Sequence, residues 1–214
     1  MKEYNFVKHI VYLDADICFF SDPSPIFNSQ RDYSILLSEH DFLEKDKGVA
    51  QVCGKYNSGF IVFKRCATSL SALKWWSEKC IEWCSDRLEE GRFGDQKYLD
   101  LMPRLFSGVK SITTPGVNIA PWNEEKYKFY NQNGQVFVND DKLICYHFCG
   151  LRLISKGSFA LIIGNQVLNT IIHTPYTLVI QENISLIEQL SPGFDGYFLE
   201  DHFRDRAILY KIGL

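Results

Sequence analysis

A chain of 214 residues, 46% hydrophobic and 14% aromatic, carries enough apolar side chains for one sizeable core. The formal net charge is −3 and Lys and Arg form no block, which excludes nucleic acid as a main partner. The most apolar late stretch, Phe159–Ile180, is interrupted by Asn165, Gln166, Asn169, His173 and Pro175, so it is too polar for a transmembrane segment.

In chain order, Met1–Asn5 is polar and carries no secretory signal. The seven cysteines are odd in number, which suits reduced thiols and a cytoplasmic location, with peripheral attachment to a membrane left open. In that setting the sequon Asn183-Ile184-Ser185 carries no meaning. Ile10–Leu13 is an apolar run that ends in Asp14-Ala15-Asp16, the pattern of a buried parallel strand leaving its sheet. Tyr33–Ser38 is a second strand, Glu39–Lys55 a polar, mobile loop, and Phe60–Lys64 a third strand. Thr68–Glu90 places Leu70, Leu73, Trp76, Cys80, Ile81, Cys84 and Leu88 on one stripe. This predicts a helix capped by Thr68 or Ser69 and ended by Gly91, with Lys74, Glu78, Lys79, Glu82 and Asp86 in water. Asp95 opens a shorter helix that Pro103 closes, and Val109–Thr113 is a strand. Val136–Val138 and Leu143–Phe148 read as a hairpin about Asn139-Asp140-Asp141, and Tyr176–Leu190 as a helix. The strands Ile10–Leu13, Ile35–Leu37, Phe60–Phe63 and Leu143–His147 are expected to form the central sheet of an α/β layer fold.

Five short clusters carry the chemistry. In an extended chain Asp14 and Asp16 would point to one side, about 6–7 Å apart. Their mutual repulsion is relieved by a divalent cation that favours oxygen ligands, and two solvated aspartates are the bland alternative. Tyr56-Asn57-Ser58-Gly59 is either a plain turn before its strand or a close-approach loop with an amide for a ligand. Gly91-Arg92-Phe93-Gly94-Asp95-Gln96 sets an acid and an amide at a helix start, as a simple cap or facing a polyhydroxyl substrate. Pro115–Asn123 is a stiff loop presenting Asn118, Trp122 and Asn123, suited to a sugar ring or to anchoring the loop in the core. In Cys145-Tyr146-His147-Phe148-Cys149-Gly150 the imidazole can complete the site begun by the two aspartates. A zinc site from Cys145, His147 and Cys149 competes with that reading but lacks the usual spacing.

In this order, Asp14-Ala15-Asp16, Asn57-Ser58-Gly59, Gly94-Asp95-Gln96, Asn118 with Trp122-Asn123, and His147 resemble nucleotide-sugar glycosyltransferases of the GT-A fold. The resemblance is to the bacterial group related to glycosyltransferase family eight and the nucleotide-diphospho-sugar transferases, over about residues 7–152. It implies a GT-A mixed sheet with flanking helices over residues 1–152 and a helical extension over 153–214. It also implies transfer of a sugar from a nucleotide-diphospho-sugar donor to a glycan, lipid-linked or small-molecule acceptor. Asp14, Asp16 and His147 would hold Mn²⁺ or Mg²⁺, and Asp95 and Gln96 would act at the transferred sugar. Asp14, Ala15, Asp16, Asn57, Ser58, Gly59, Asn118, Trp122, Asn123 and Gly150 would line the donor site.

Such enzymes carry further βαβ units ahead of this motif, which bind base and ribose, whereas only Met1–Lys8 precede the strand here. The resemblance therefore implies an N-terminally truncated domain lacking the nucleotide-binding half. An exposed sheet edge would follow, with weak or absent activity alone, and self-association or a partner chain supplying the missing part. Two rivals stand beside it. One is a non-catalytic remnant or binding subunit. The other is a haloacid-dehalogenase-type phosphotransferase with Asp14 as nucleophile, although Cys18 stands where that group carries Thr or Val.

Overall fold

The computed structural model describes residues 6–28, 31–164, 167–205 and 207–213; the polar opening Met1–Asn5, Asn165 and Gln166 lie outside them. In chain order the elements are β1 (His9–Leu13), β2 (Ile17–Phe19), α1 (Ser24–Asn28), β3 (Ile35–Glu39), α2 (Lys47–Cys53), β4 (Tyr56–Lys64) and α3 (Ala67–Glu82). There follow α4 (Met102–Leu105), β5 (Val109–Ser111), β6 (Phe129–Gln132), β7 (Gln135–Val138), β8 (Asp141–Lys142) and β9 (Cys145–His147). The chain ends with β10 (Leu151–Ser155), β11 (Ser158–Leu161), α5 (Thr170–Leu190) and β12 (Ile208–Lys211).

The main sheet has the order β1-β4-β3-β5 and is mixed: only β3 and β5 run parallel. Successive side chains of a strand face opposite ways, so β3 and β4 supply two cores. Ile35, Leu37, Ile61 and Phe63 pack with Ala72 and Trp76 of α3 and with Tyr98, Leu99 and Met102. Leu36, Phe60 and Val62 pack on the other face with Ile26, Tyr33, Ile144 and Cys145. The register shifts between Leu37, opposite Ile61, and Ser38, opposite Asn57, so Ser58, Gly59 and Phe60 bulge out of the β3 ladder. Bulges of this kind turn side chains away from a sheet and toward a site. The Ser38 hydroxyl, donating to the Phe60 carbonyl at 2.8 Å, holds this one in place.

Several expectations are corrected. β1 is neither parallel nor buried: it pairs antiparallel with β4 at the sheet edge, and Tyr12 and Leu13 are 37% and 41% exposed. An apolar run reports affinity for a core, not whether both sides are covered. Asn57-Ser58-Gly59 lies within β4 rather than in a turn before it. The span 39–55 is not a bare loop. It forms a 3-10 turn at Glu44–Asp46 and then α2, on which Val49, Val52 and Cys53 have helical spacing. α3 stops at Glu82, well short of Gly91, and Cys66 is its N-cap, with Ser69 closing the capping box. Cys84 and Leu88 are consequently exposed, and Ile81, inside α3, is 83% exposed and so does not belong to the buried stripe; Lys74, Glu78, Glu82 and Asp86 face water as expected, and Lys79 does so in part.

Asp95 precedes a 3-10 helix, Gln96–Leu101, and Pro103 sits in the first turn of α4 instead of closing a helix. β7 pairs with β6 and β8, whereas β9 leaves that hairpin to pair antiparallel with β2; the central sheet takes β5 in its place. The tail helix is longer than expected, and a three-stranded sheet, β10-β11-β12, accompanies it. Among the described residues no helix is long and apolar enough to cross a membrane.

Candidate functional site

Two strand pairings bring the chain's first acids to its late histidine. The Asp14 amide donates to the Gly59 carbonyl (3.0 Å) as β1 leaves β4. The chain then turns tightly, with the Ile17 amide donating to the Asp14 carbonyl (3.2 Å), and β2 sets Ile17 opposite His147. The aspartates thus sit on a turn and not on an extended strand end, yet both reach the same ring. His147 Nε2 lies 3.0 Å from Asp16 Oδ1 and 3.8 Å from Asp14 Oδ2.

The ring itself is only 4% exposed, and its Nδ1 has no hydrogen-bond partner among the described residues. It meets the edge of Trp122 at 5.2 Å between centroids. Gly59 supports it from behind: a β-carbon there would stand 2.7 Å from Nδ1 and Cε1 of His147 and 2.6 Å from Asn57 Oδ1. Glycine is needed at this point for room, not for an unusual backbone angle.

Around this group opens a cavity of about 880 Å³. Asp14, Asp16, Asn57, Ser58, Asp95, Gln96, Trp122 and His147 all line it, so the structure gathers eight of the expected residues. The other five are not among its lining residues. Gly59 packs against His147, and Ala15 is exposed on the turn. Asn118, at φ +55°, donates its side-chain amide to Asn57 Oδ1 (3.3 Å). Asn123 donates to the His40 carbonyl (2.9 Å) and accepts from the Ala120 amide (3.0 Å). Gly150, at φ +83°, packs against Ile163, leaving no space for a β-carbon.

Asn57 lines the cavity but spends its amide inward. Oδ1 accepts from the Gly59 and Asn118 amides, while Nδ2 faces His40 Nε2 and Gln96 Oε1, both at 3.4 Å. Ser58 donates to Asp95 Oδ1 (3.1 Å), and the indole of Trp76 donates to the Asp95 carbonyl (2.8 Å).

His40 belongs to the same assembly and carried no motif. Its Nδ1 donates to the Gly54 carbonyl (3.0 Å), which fixes the tautomer and leaves Nε2 to accept. Burial pushes its pKa down to about 4, so the ring is neutral near pH 7. Its own carbonyl accepts from the Trp122 indole (2.7 Å), so His40 sets the height of the ring that covers His147. Phe42, Leu43 and Val49 add apolar wall from the same segment. Sequence reading missed this segment because its charges mask the helical spacing of Val49, Val52 and Cys53.

The electrostatics favour a cation. Burial raises the Asp14 carboxyl above its ordinary range; His147 opposes this, while the charges of Asp16 and Asp95 add to it. Burial also works against charging Asp16, but the hydrogen bond and charge of His147 outweigh it and hold that carboxyl low. Burial and the Asp14 charge push the Tyr12 hydroxyl, bonded to Asp14, up to about 12. Lys45 is the sole Lys or Arg among the described lining residues, and Glu125 already holds it at 2.9 Å. The Arg152 charge also reaches Asp16, but its guanidinium is paired with Glu200 at 3.4 Å. Two carboxylates and a buried imidazole fit a divalent cation of oxygen and nitrogen preference. The zinc set read from the sequence is corrected in one member. Cys145 is buried and takes the Asn118 amide, whereas Cys149 lies with Asp16 and His147.

A mixed α/β chain with a cavity of this size, apolar in part and lined by converging polar groups, is a default place for a small-molecule site. The sequence profile described as "Nucleotide-diphospho-sugar transferase" matches residues 5–119, and the chain belongs to that family. A protein of Bacillus subtilis (strain 168), "Uncharacterized protein YfnF", is 38% identical over 205 residues, covering 91% of this chain and 67% of the relative. A second protein from that strain, "Uncharacterized protein YfnD", is 30% identical over 208 residues, covering 94% and 67%. The family implies a transferase with a sugar-nucleotide donor.

Proposed function

We propose that the chain is the cation- and sugar-handling part of a GT-A glycosyltransferase related to family eight, transferring a sugar from a nucleotide diphosphate to an acceptor hydroxyl. The observation that carries the reading is the meeting of Asp14, Asp16 and His147 on the cavity wall within one family-assigned chain. These three would hold Mn²⁺ or Mg²⁺, which when bound stabilises negative charge on a departing diphosphate.

The remaining residues bind and orient. Asp95, held by Ser58, and Gln96 face the cavity where sugar and acceptor hydroxyls would lie, and Trp122 offers an indole to a sugar ring. Asn57, Asn118 and Asn123 keep these parts in register by hydrogen bonds among themselves and with His40.

Base and ribose would be bound by a further segment or a partner chain, added at the unpaired edge of β1. Among the described residues the outer edge of β1 is unpaired, with Tyr12 and Leu13 half-exposed, which supports the reading.

Calorimetric titration of UDP-sugars with and without Mn²⁺ tests the proposal. Binding that requires Mn²⁺ and vanishes in Asp14→Ala and Asp16→Ala supports it. Metal-independent binding of free glycan, with no affinity for nucleotide sugars, replaces it with the non-catalytic binding subunit.

A further inference from the structure

Cys149 stands two residues beyond His147, in the turn that follows β9, and lines the cavity. One donor atom each from Asp16, His147 and Cys149 lies within 4.8 Å of the other two. Asp14 Oδ2 stands 3.8 Å from His147 Nε2 but is not one of that close set. A tetrahedral zinc site with bonds of about 2.0–2.3 Å holds its donors roughly 3.3–3.7 Å apart, so this set needs to draw in by about an ångström. Hard ions such as Mg²⁺ gain nothing from sulfur, while Zn²⁺ and Co²⁺ accept a thiolate readily. The same cluster therefore offers an O,O,N face to one class of cation and an O,N,S face to another.

We propose that Cys149 gives the cation site a second, thiolate-containing binding mode that selects Zn²⁺ over hard cations. In it Asp16, His147 and Cys149 hold the ion. The Cys149 thiol gives its proton to solvent as the metal–sulfur bond forms. The inference rests on the reading of Asp14, Asp16 and His147 as a cation site. It adds to that reading the residue that decides which ions the site confuses.

The test uses Co²⁺ as the spectroscopic probe and Zn²⁺ as its competitor, on the chain as it stands. One equivalent of Co²⁺ is expected to give a thiolate-to-cobalt charge-transfer band that Zn²⁺ abolishes. Cys149→Ser and Cys149→Ala should both lose the band and bind Zn²⁺ roughly a hundredfold more weakly, while Mn²⁺ affinity changes less than about threefold. Cys53→Ser, at the other cysteine of the cavity wall, should keep the band.

A band that survives both Cys149 variants, or unchanged Zn²⁺ affinity in them, overturns the inference. Two outcomes separate it from the functional reading. Mn²⁺ binding with a cobalt spectrum indifferent to Cys149 sinks this proposal alone. A Cys149-dependent band in a chain with no Mn²⁺ affinity upholds it and sinks the Mn²⁺ reading.

Discussion

Gly59→Ala isolates the packing behind His147. The new β-carbon would stand 2.7 Å from two ring atoms and 2.6 Å from Asn57 Oδ1, where ordinary contacts begin near 3.5 Å. One partner must therefore yield by about an ångström. Gly59 lies in a strand without a left-handed backbone angle, so alanine adds no conformational strain, and the collision alone sets the cost. The ring has little freedom to retreat: β9 is pinned by β2, and the His147 amide donates to the Ile119 carbonyl (2.8 Å).

Overpacking of this kind costs about 1–3 kcal/mol. At about 2–4 °C per kcal/mol for a chain of this size, the melting temperature should drop by roughly 3–10 °C. Moving Nε2 off Asp16 should also weaken Mn²⁺ binding by about 10–100-fold. Thermal unfolding and calorimetric Mn²⁺ titration read the two effects. Gly48→Ala in α2, where a β-carbon meets nothing within 4 Å, is the control and should gain about 0.5–1 kcal/mol. A Gly59→Ala protein that melts and binds Mn²⁺ like the parent would refute the packing argument.

Asp95→Asn keeps an acceptor for the Ser58 hydroxyl but removes the charge. Mn²⁺ affinity should hold within about threefold while sugar transfer by the assembled enzyme falls at least about a hundredfold; equal losses in both would place Asp95 with the cation instead. His40 makes folding sensitive to acid. Its folded pKa of about 4 lies below the ordinary 6.5, so between those values the unfolded chain binds more protons. Its contribution is fully present above 6.5 and declines as pH falls toward 4, by about 3 kcal/mol at most. Urea titrations across that window should show a slope that His40→Asn flattens. Trp122→Phe leaves the His40 carbonyl with Asn123 as its remaining side-chain donor, which should cost about 1 kcal/mol in the same titrations.

The candidate site residues were more legible than the frame that aims them. Asp14, Asp16 and His147 stood out because carboxylates ending an apolar run and an imidazole on a short strand are chemically conspicuous, and the structure joins them within 4 Å. His40 was silent. A histidine flanked by Glu39 and Asp41 looks solvated, and only the tertiary fold shows it buried and neutral. Gly59 was seen as a glycine for the wrong reason, since its purpose is an atom 88 residues away. Apolar runs marked the core strands but not Ile17–Phe19, Phe129–Gln132, Leu151–Ser155, Ser158–Leu161 or Ile208–Lys211, and no run named its partner. β9 was given to the central sheet because nothing in Cys145–His147 says that Ile17–Phe19 is its mate. Helix ends also misled where Pro103 and Gly91 suggested stops, because tertiary packing ends α3 at Glu82.

The ribbon of β2 and β9 joins residues about 130 positions apart through three residue pairs. An ion held by Asp16 and His147, as proposed, would work as a reversible cross-link between the two ends of that span, closing a loop whose entropy the unfolded chain would otherwise keep. Metal supply would then set how long this protein lasts as well as what it does. Chelation should speed amide exchange in Ile17–Phe19 and Cys145–His147 before any other strand loosens.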